Sequence, residues 1–132
     1  MVRQKNKENT QELLELLFNS TISLREKKDR IGDYINVDQY IQHSPNLRDG
    51  HQQLIDLVEE FDQTFVDYSI TVKRLIGEGD YVFAHCHYKF GKEDDQGKAI
   101  AEVFRFSSGK MVEHWDVIQD IQNTSPNKRS MF

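Results

Sequence analysis

Two carboxylates and an imidazole, Glu102, His114 and Asp116, flank the turn Ser107-Ser108-Gly109 late in a chain of 132 residues. A three-residue hairpin loop, a type I turn closed by a left-handed glycine, fits this turn, because only Gly109 then needs a positive φ. That loop sets position 106 opposite 110 and Glu102 opposite His114, with Asp116 one diagonal step away. Even-numbered residues then share one face: Ile100, Glu102, Phe104 and Phe106 on the first strand, Val112, His114, Asp116 and Ile118 on the second. Burying carboxylates among such apolar neighbours is costly unless they are paired, hydrogen-bonded or protonated. A carboxylate so placed can take a proton as a general base and return it as a general acid. The same three groups also suit a structural network that only fixes strand register, and the pattern leaves both readings open.

Other polar residues carry weaker signals. His85 and His87 share a strand face at a spacing that can chelate a metal, but no clear third ligand accompanies them, so packing and hydrogen bonding explain them better. His43 sits among Tyr40, Ile41 and Pro45, placed either to reach a cavity mouth or to end a short strand. Cys86 lies mid-strand and reads as a small buried hydrophobe rather than a nucleophile. On the opposite, odd-numbered face, Val103, Arg105, Glu113, Trp115 and Val117 form a mixture suited to a subunit interface, with Trp115 as its anchor.

The elements that must position these groups divide into a helical first half and a stranded second half, an α+β pattern. The capping-box spacing Asn9-Thr10-Gln11-Glu12 predicts a helix from near Asn9, with Leu13, Leu14, Leu16, Leu17 and Phe18 as its apolar face. Ser23-Leu24-Arg25-Glu26 opens a second helix, whose Arg25, Lys27, Lys28 and Arg30 read as a solvated face. A third starts at Asp49-Gly50-His51-Gln52 and repeats Leu54, Ile55, Leu57, Val58 and Phe61 at helical spacing. Tyr40 to Asn46 is short and partly β-like, closed by Pro45 and Asn46. Ser69 to Ile76, Tyr81 to Phe90, Ala99 to Phe106 and Lys110 to Asp120 read as strands joined by tight turns and a Gly- and Asp-rich loop from Gly91 to Gly97. They form an antiparallel meander. The expectation is one domain over residues 1–132, with about 1–8 and 123–132 as loose tails; Met131 and Phe132 are apolar enough to dock.

Composition narrows the function classes. There are 22 acidic against 17 basic side chains, for a net charge of −5, which argues against a non-specific nucleic-acid binder. The longest apolar run, Tyr81 to Ala84, is too short to span a membrane, and the N-terminus lacks the apolar stretch of a signal peptide. A single cysteine rules out an internal disulfide and any multi-cysteine metal site. The expected location is the cytoplasm.

The segment Tyr40-Ile41-Gln42-His43-Ser44-Pro45-Asn46, the helix opening at Asp49-Gly50, and Phe104-Arg105-Phe106 before Gly109-Lys110-Met111-Val112-Glu113-His114-Trp115-Asp116-Val117 resemble the SnoaL-like polyketide cyclases of the nuclear-transport-factor-2-like superfamily. The resemblance runs from the first helix to about Gln119. It implies a cone-shaped barrel of three N-terminal helices on a curved antiparallel sheet, and a homodimer formed through the outer side of the sheet. It also implies that an aspartate in the last strand, matched by Asp116, is the acid/base of a cofactor-free aldol closure. Where those cyclases carry an assisting histidine on the preceding strand, this chain has Glu102.

Two functions follow. In the first, Asp116 abstracts a proton next to a carbonyl in a small, mainly apolar substrate, tuned by Glu102 and His114. His43 and Tyr40 orient the substrate oxygen, and Phe104, Ile118 and His85 complete the binding wall. No metal or organic cofactor is required. In the second, the same residues anchor a ligand in a non-catalytic dimeric binding module. A metal-dependent third reading needs His85 and His87 to face Asp116.

Overall fold

The computed structural model describes residues 1–91 and 96–132. The Gly- and Asp-rich loop read between Gly91 and Gly97 therefore falls in part, at 92–95, outside the described residues.

Helix α1 spans Val2–Leu17 and begins well before Asn9. Arg3, Gln4, Lys5, Lys7 and Glu8 all favour helix, and Gln4 and Gln11 bridge to Glu8 and Glu15 four residues on. Asn9 and Thr10 are not caps: both turn inward and are buried, and the Thr10 hydroxyl donates back to the Asn6 carbonyl at 2.8 Å. Helix α2 spans Leu24–Arg30, capped as its sequence predicts by Ser23, whose hydroxyl accepts from the Glu26 N–H at 3.1 Å. A 3-10 turn, Ile31–Asp33, follows, and α3 spans His51–Thr64.

One side chain of α2 departs from the solvated face expected of it. Lys27 is fully buried. Its ammonium donates to the Tyr68 hydroxyl at 2.6 Å, which in turn donates to Asp62 of α3 at 2.6 Å, so one chain of donors ties α2 to α3 and to the approach to the sheet. Burial pushes the Lys27 pKa down, and Asp62 partly offsets this.

The strands are β1 (Ile41–Gln42), β2 (Ser69–Glu78), β3 (Tyr81–Lys89), β4 (Lys98–Ser107) and β5 (Lys110–Asp120), in the order β1-β5-β4-β3-β2. The long strands form the expected antiparallel meander, and only the two-residue β1 runs parallel, beside β5. On β3 and β4 the even-numbered side chains are buried, from Val82 to Tyr88 and from Ile100 to Phe106. They meet Leu13, Leu14 and Leu17 of α1 and Leu54, Ile55 and Val58 of α3 in one core.

The last hairpin differs from its predicted form in an instructive way. Its loop has two residues, Ser108 and Gly109, with Ser107 paired to Lys110. Ser108 itself takes a positive φ of 52°, next to Gly109 at 81°, the pair of left-handed residues that a tight hairpin turn needs. Alone, this loop would invert the parity of β5. A bulge corrects it: Phe106 pairs with Met111, but Arg105 pairs with Glu113, leaving Val112 as the extra residue. The cause lies outside the hairpin, because Met111 is also bridged to Ile35, its N–H donating to the Tyr34 carbonyl at 2.9 Å. Met111 and Val112 are then both buried. The even face survives, moved by one pair: Glu102 stands opposite Asp116, and Phe104 opposite His114.

Among the described residues no helix is long and apolar enough to cross a membrane.

Candidate active site

The helices and the inner face of the sheet enclose a cavity of about 240 Å³. Its walls are mainly apolar: Leu13, Leu17, Leu54, Leu57 and Phe61 from the helices, and Ile100 and Phe104 from the sheet. Glu102, His114 and Asp116 all reach it, with one ligand atom of each lying within 4.8 Å of the others. Tyr40 and Ser44 join them from either side of β1. Ile118, half exposed, and Lys98, paired with Asp120, line it at the end of the β4–β5 ladder.

The polar groups form a connected set. Glu102 and His114 are buried, and His114 Nε2 lies 3.2 Å from Glu102 Oε1. The Tyr88 hydroxyl donates to Glu102 Oε2 at 3.0 Å. On the far side of the imidazole, His114 Nδ1 lies 2.7 Å from Gln42 Oε1, which also accepts from the Ser44 N–H at 3.0 Å. The amide nitrogen of Gln42 has no partner, the one such buried side-chain atom among the described residues. Turning the amide over would set its NH2 against the Ser44 N–H, two donors face to face. The orientation that leaves the nitrogen unpaired is therefore the one that presents an acceptor to His114. It does so despite a cost of about 1–3 kcal/mol for a buried donor without a partner.

Asp116 is only partly buried. Burial raises its pKa, the His114 ring and the Ser44 hydroxyl pull it down, and Glu102 pushes it up again. Tyr40, stacked 6.4 Å from the His114 ring, is held protonated by burial and by the charges of Glu102 and Asp116. It lines the cavity with Asp116, which sets a hydroxyl donor on the same wall as that carboxyl group. Burial and contact with Glu102 likewise push the Cys86 thiol up, away from nucleophile chemistry.

Of the residues expected at the site, Asp116, Glu102, His114, Tyr40, Phe104 and Ile118 line the cavity. His43 and His85 do not. His43 lies on the outer face, where it stacks on Trp115 at 4.8 Å and contacts Glu113 at 2.7 Å, because β1 and β5 run in register and put His43 beside the odd-numbered side chains. His85, odd-numbered on β3, also points outward and contacts Arg74. Since His85 and His87 back onto the other side of the sheet from Asp116, they do not form a metal site with it; both instead meet the ring of Phe132. The trio that could hold a divalent ion is Glu102, His114 and Asp116 itself. Gln42 and Ser44, both within the Tyr40–Asn46 segment, and Tyr88 are not among the residues the sequence puts at the site. Tyr88 shares the inward parity of β3, but no parity argument crosses the loop between β3 and β4 to set it beside Glu102.

Three helices over the concave side of a curved sheet, with acids on its inner face, define the α+β fold of the nuclear-transport-factor-2-like proteins. The sequence profile of the SnoaL-like polyketide cyclases matches residues 15–124, and the chain belongs to that family. A search of curated protein sequences gives no significant match. Among solved structures, a candidate polyketide cyclase from Bacillus cereus ATCC 10987 is similar, with 14% identity, a TM-score of 0.71 and coverage of 87% of this chain and 74% of that one. A candidate isomerase of the SnoaL-like family from Agrobacterium tumefaciens str. C58 has 13% identity and a TM-score of 0.71, covering 88% and 98%. A nuclear-transport-factor-2-like protein of unknown function from Cytophaga hutchinsonii ATCC 33406 has 14% identity and a TM-score of 0.62, covering 86% and 89%. At such identities these likenesses speak to the fold.

Proposed function

We propose that this protein is a cofactor-free acid–base enzyme acting on a small, mainly apolar carbonyl compound. One observation carries the reading: Asp116, whose carboxyl group burial makes harder to ionise, and Tyr40, whose hydroxyl burial keeps protonated, share one mainly apolar cavity wall. The Asp116 carboxylate takes a proton from the carbon next to the carbonyl, and the Tyr40 hydroxyl donates to the oxygen as it becomes an enolate. The enolate then either recovers the proton from Asp116 at another carbon, an isomerisation, or its carbon attacks a second carbonyl within the same molecule. In that aldol closure the oxygen of the second carbonyl takes the proton back from Asp116 as it becomes a hydroxyl. Glu102 and His114 set the charge that Asp116 faces, while Phe104 and Ile118 hold the apolar body of the substrate. Family membership supports cyclase or isomerase chemistry of this kind.

The test is hydrogen exchange in deuterated water with β-tetralone, an apolar bicyclic ketone small enough for the cavity. Catalysed exchange at the carbon beside its carbonyl supports the enzyme. Saturable binding with no exchange, for this and other enolisable ketones, favours a non-catalytic binding module instead. That second reading draws on the fact that Glu102 and His114 are already fully engaged with Tyr88 and Gln42, as in a structural network.

The outer face supports a homodimer. Tyr81 lies against Trp115 there, and Ile76 and Val117 are exposed on the same face, Val117 at 72%. Sedimentation should give a dimer that Val117→Asp dissociates; a monomeric wild type would contradict it.

A further inference from the structure

The two buried members of the cavity's polar set are each secured from behind through one atom. Tyr88 holds Glu102 by Oε2 at 3.0 Å, and Gln42 holds His114 by Nδ1 at 2.7 Å. Glu102 Oε1 and His114 Nε2 are the atoms left facing each other, 3.2 Å apart. Two ligand atoms about 2.1 Å from one ion stand about 3.0–3.4 Å apart, from the octahedral to the tetrahedral angle. The pair already has a chelating separation. A carboxyl oxygen of Asp116 lies within 4.8 Å of both, and Asp116 is the least buried of the three, so a turn of its side chain closes the remaining gap. Outer partners that fix the direction of each ligand suit a metal site and a structural network alike. Gln42 separates the two. It leaves a buried amide nitrogen unpaired while its oxygen stays on His114, a cost that a network serving stability alone has no reason to bear.

We propose that Glu102 Oε1, His114 Nε2 and one oxygen of Asp116 bind a divalent first-row transition ion of the Zn²⁺ class, with Gln42 and Tyr88 orienting two of the ligands. One imidazole and two carboxylates suit such an ion. Mg²⁺ and Ca²⁺ take oxygen ligands, and more of them than this mainly apolar wall offers. The charges also match: two carboxylates offset a doubly charged ion, so the bound set is neutral where an unbalanced charge would be costly. Glu102 and Asp116, cross-strand partners that repel each other as anions, gain a common counterion. An ion held by Asp116 occupies the group that moves the proton. Zn²⁺ is therefore an inhibitor that competes with the chemistry, a consequence that rests on the acid–base reading above.

The test is calorimetric titration of ZnCl2 at neutral pH into the full chain, stripped beforehand with a chelator. The wild type should take up one ion per chain, and MgCl2 at the same concentration should give no saturable uptake. Gln42→Met, which removes the outer partner of His114, should bind Zn²⁺ about 10–100-fold more weakly, and Asp116→Asn, which removes a ligand, at least as much more weakly. Asp116→Asn decides the matter even if Gln42→Met fails to fold. His85→Ala combined with His87→Ala removes the outward-facing pair, whose spacing could also chelate, and should leave uptake unchanged. No saturable Zn²⁺ uptake by the wild type, equal uptake of Mg²⁺, wild-type affinity in folded Asp116→Asn or Gln42→Met, or loss of uptake with His85 and His87 each overturns the proposal. Exchange of β-tetralone is scored separately, in chelator and in saturating ZnCl2. If the wild type lacks exchange in chelator, the enzyme reading falls while the metal site stands; exchange that saturating Zn²⁺ leaves undiminished overturns the inhibition.

Discussion

Glu102 and Asp116 are direct cross-strand partners in the β4–β5 ladder, two carboxylates facing each other on the inner side of the sheet. Like charges so paired oppose simultaneous ionisation. The site resolves this by giving them unequal surroundings. Glu102 is buried and held by Tyr88 and His114, while Asp116 is left at the cavity wall with only Ser44 and the His114 field to favour its charge. One acid is occupied and the other is available.

That availability has a cost in stability. Asp116 has a folded pKa above its unfolded value of about 3.9. The folded state therefore binds the proton more tightly, and the stability this contributes is full below about pH 3.9 and lost as pH rises through the folded midpoint. Asp116→Asn should accordingly be more stable than wild type at neutral pH, by about 0.5–1 kcal/mol. The gap should close on acidification to about pH 4. Thermal melts at both pH values check this, and a less stable variant at neutral pH would contradict it.

Removing the other support of Glu102 should act in the opposite direction. Tyr88→Phe takes away the donor to Glu102 Oε2 and leaves a buried carboxylate oxygen unpaired. A loss of about 1–3 kcal/mol in denaturant melts is expected.

His43 gives the control on geometry. Its ring lies on Trp115 and against Glu113, outside the cavity, and Glu113 keeps Arg105 as a partner at 2.7 Å without it. His43→Ala should lose about 1 kcal/mol of stability through the stack and leave ketone exchange unchanged. Loss of exchange with the fold intact would place His43 in the chemistry after all.

The buried lysine yields a contrast between two neighbours. Lys27→Met removes a charge whose burial is costly, and exposed Asp62 remains solvated and bonded to Tyr68, so stability should stay within about 1 kcal/mol of wild type. Tyr68→Phe instead strands the Lys27 ammonium without its acceptor and should cost about 2–3 kcal/mol. Equal effects in chemical denaturation would show that the chain of donors is not what holds α2 to α3.

Much of this architecture was legible because strand alternation is local. The even-numbered face of β4 and β5 gathers Glu102, His114 and Asp116 as parity requires. The pairing within that face was not legible. It depends on Ser108 adopting a positive φ and on a bulge imposed by contact of Met111 with Ile35, far back in the chain. The two departures cancel in parity and leave a shift of one pair. Asn9 and Thr10 misled for a related reason: residues that cap helices also pack inside them when a sheet covers their face. The outward placement of His43 follows from the parallel register of β1 on β5, which two residues of strand could not announce. Lys27 looks like its neighbours on α2 until Tyr68 and Asp62 are folded against it.

The central claim is that Asp116 moves the proton. Exchange of the hydrogens beside the β-tetralone carbonyl should be followed in deuterated water for wild type and for Asp116→Asn, with ligand affinity measured in parallel. The account predicts that the wild type catalyses exchange and that Asp116→Asn binds the ketone comparably, while its rate falls by roughly a hundredfold or more. Exchange at the wild-type rate in folded Asp116→Asn would contradict it.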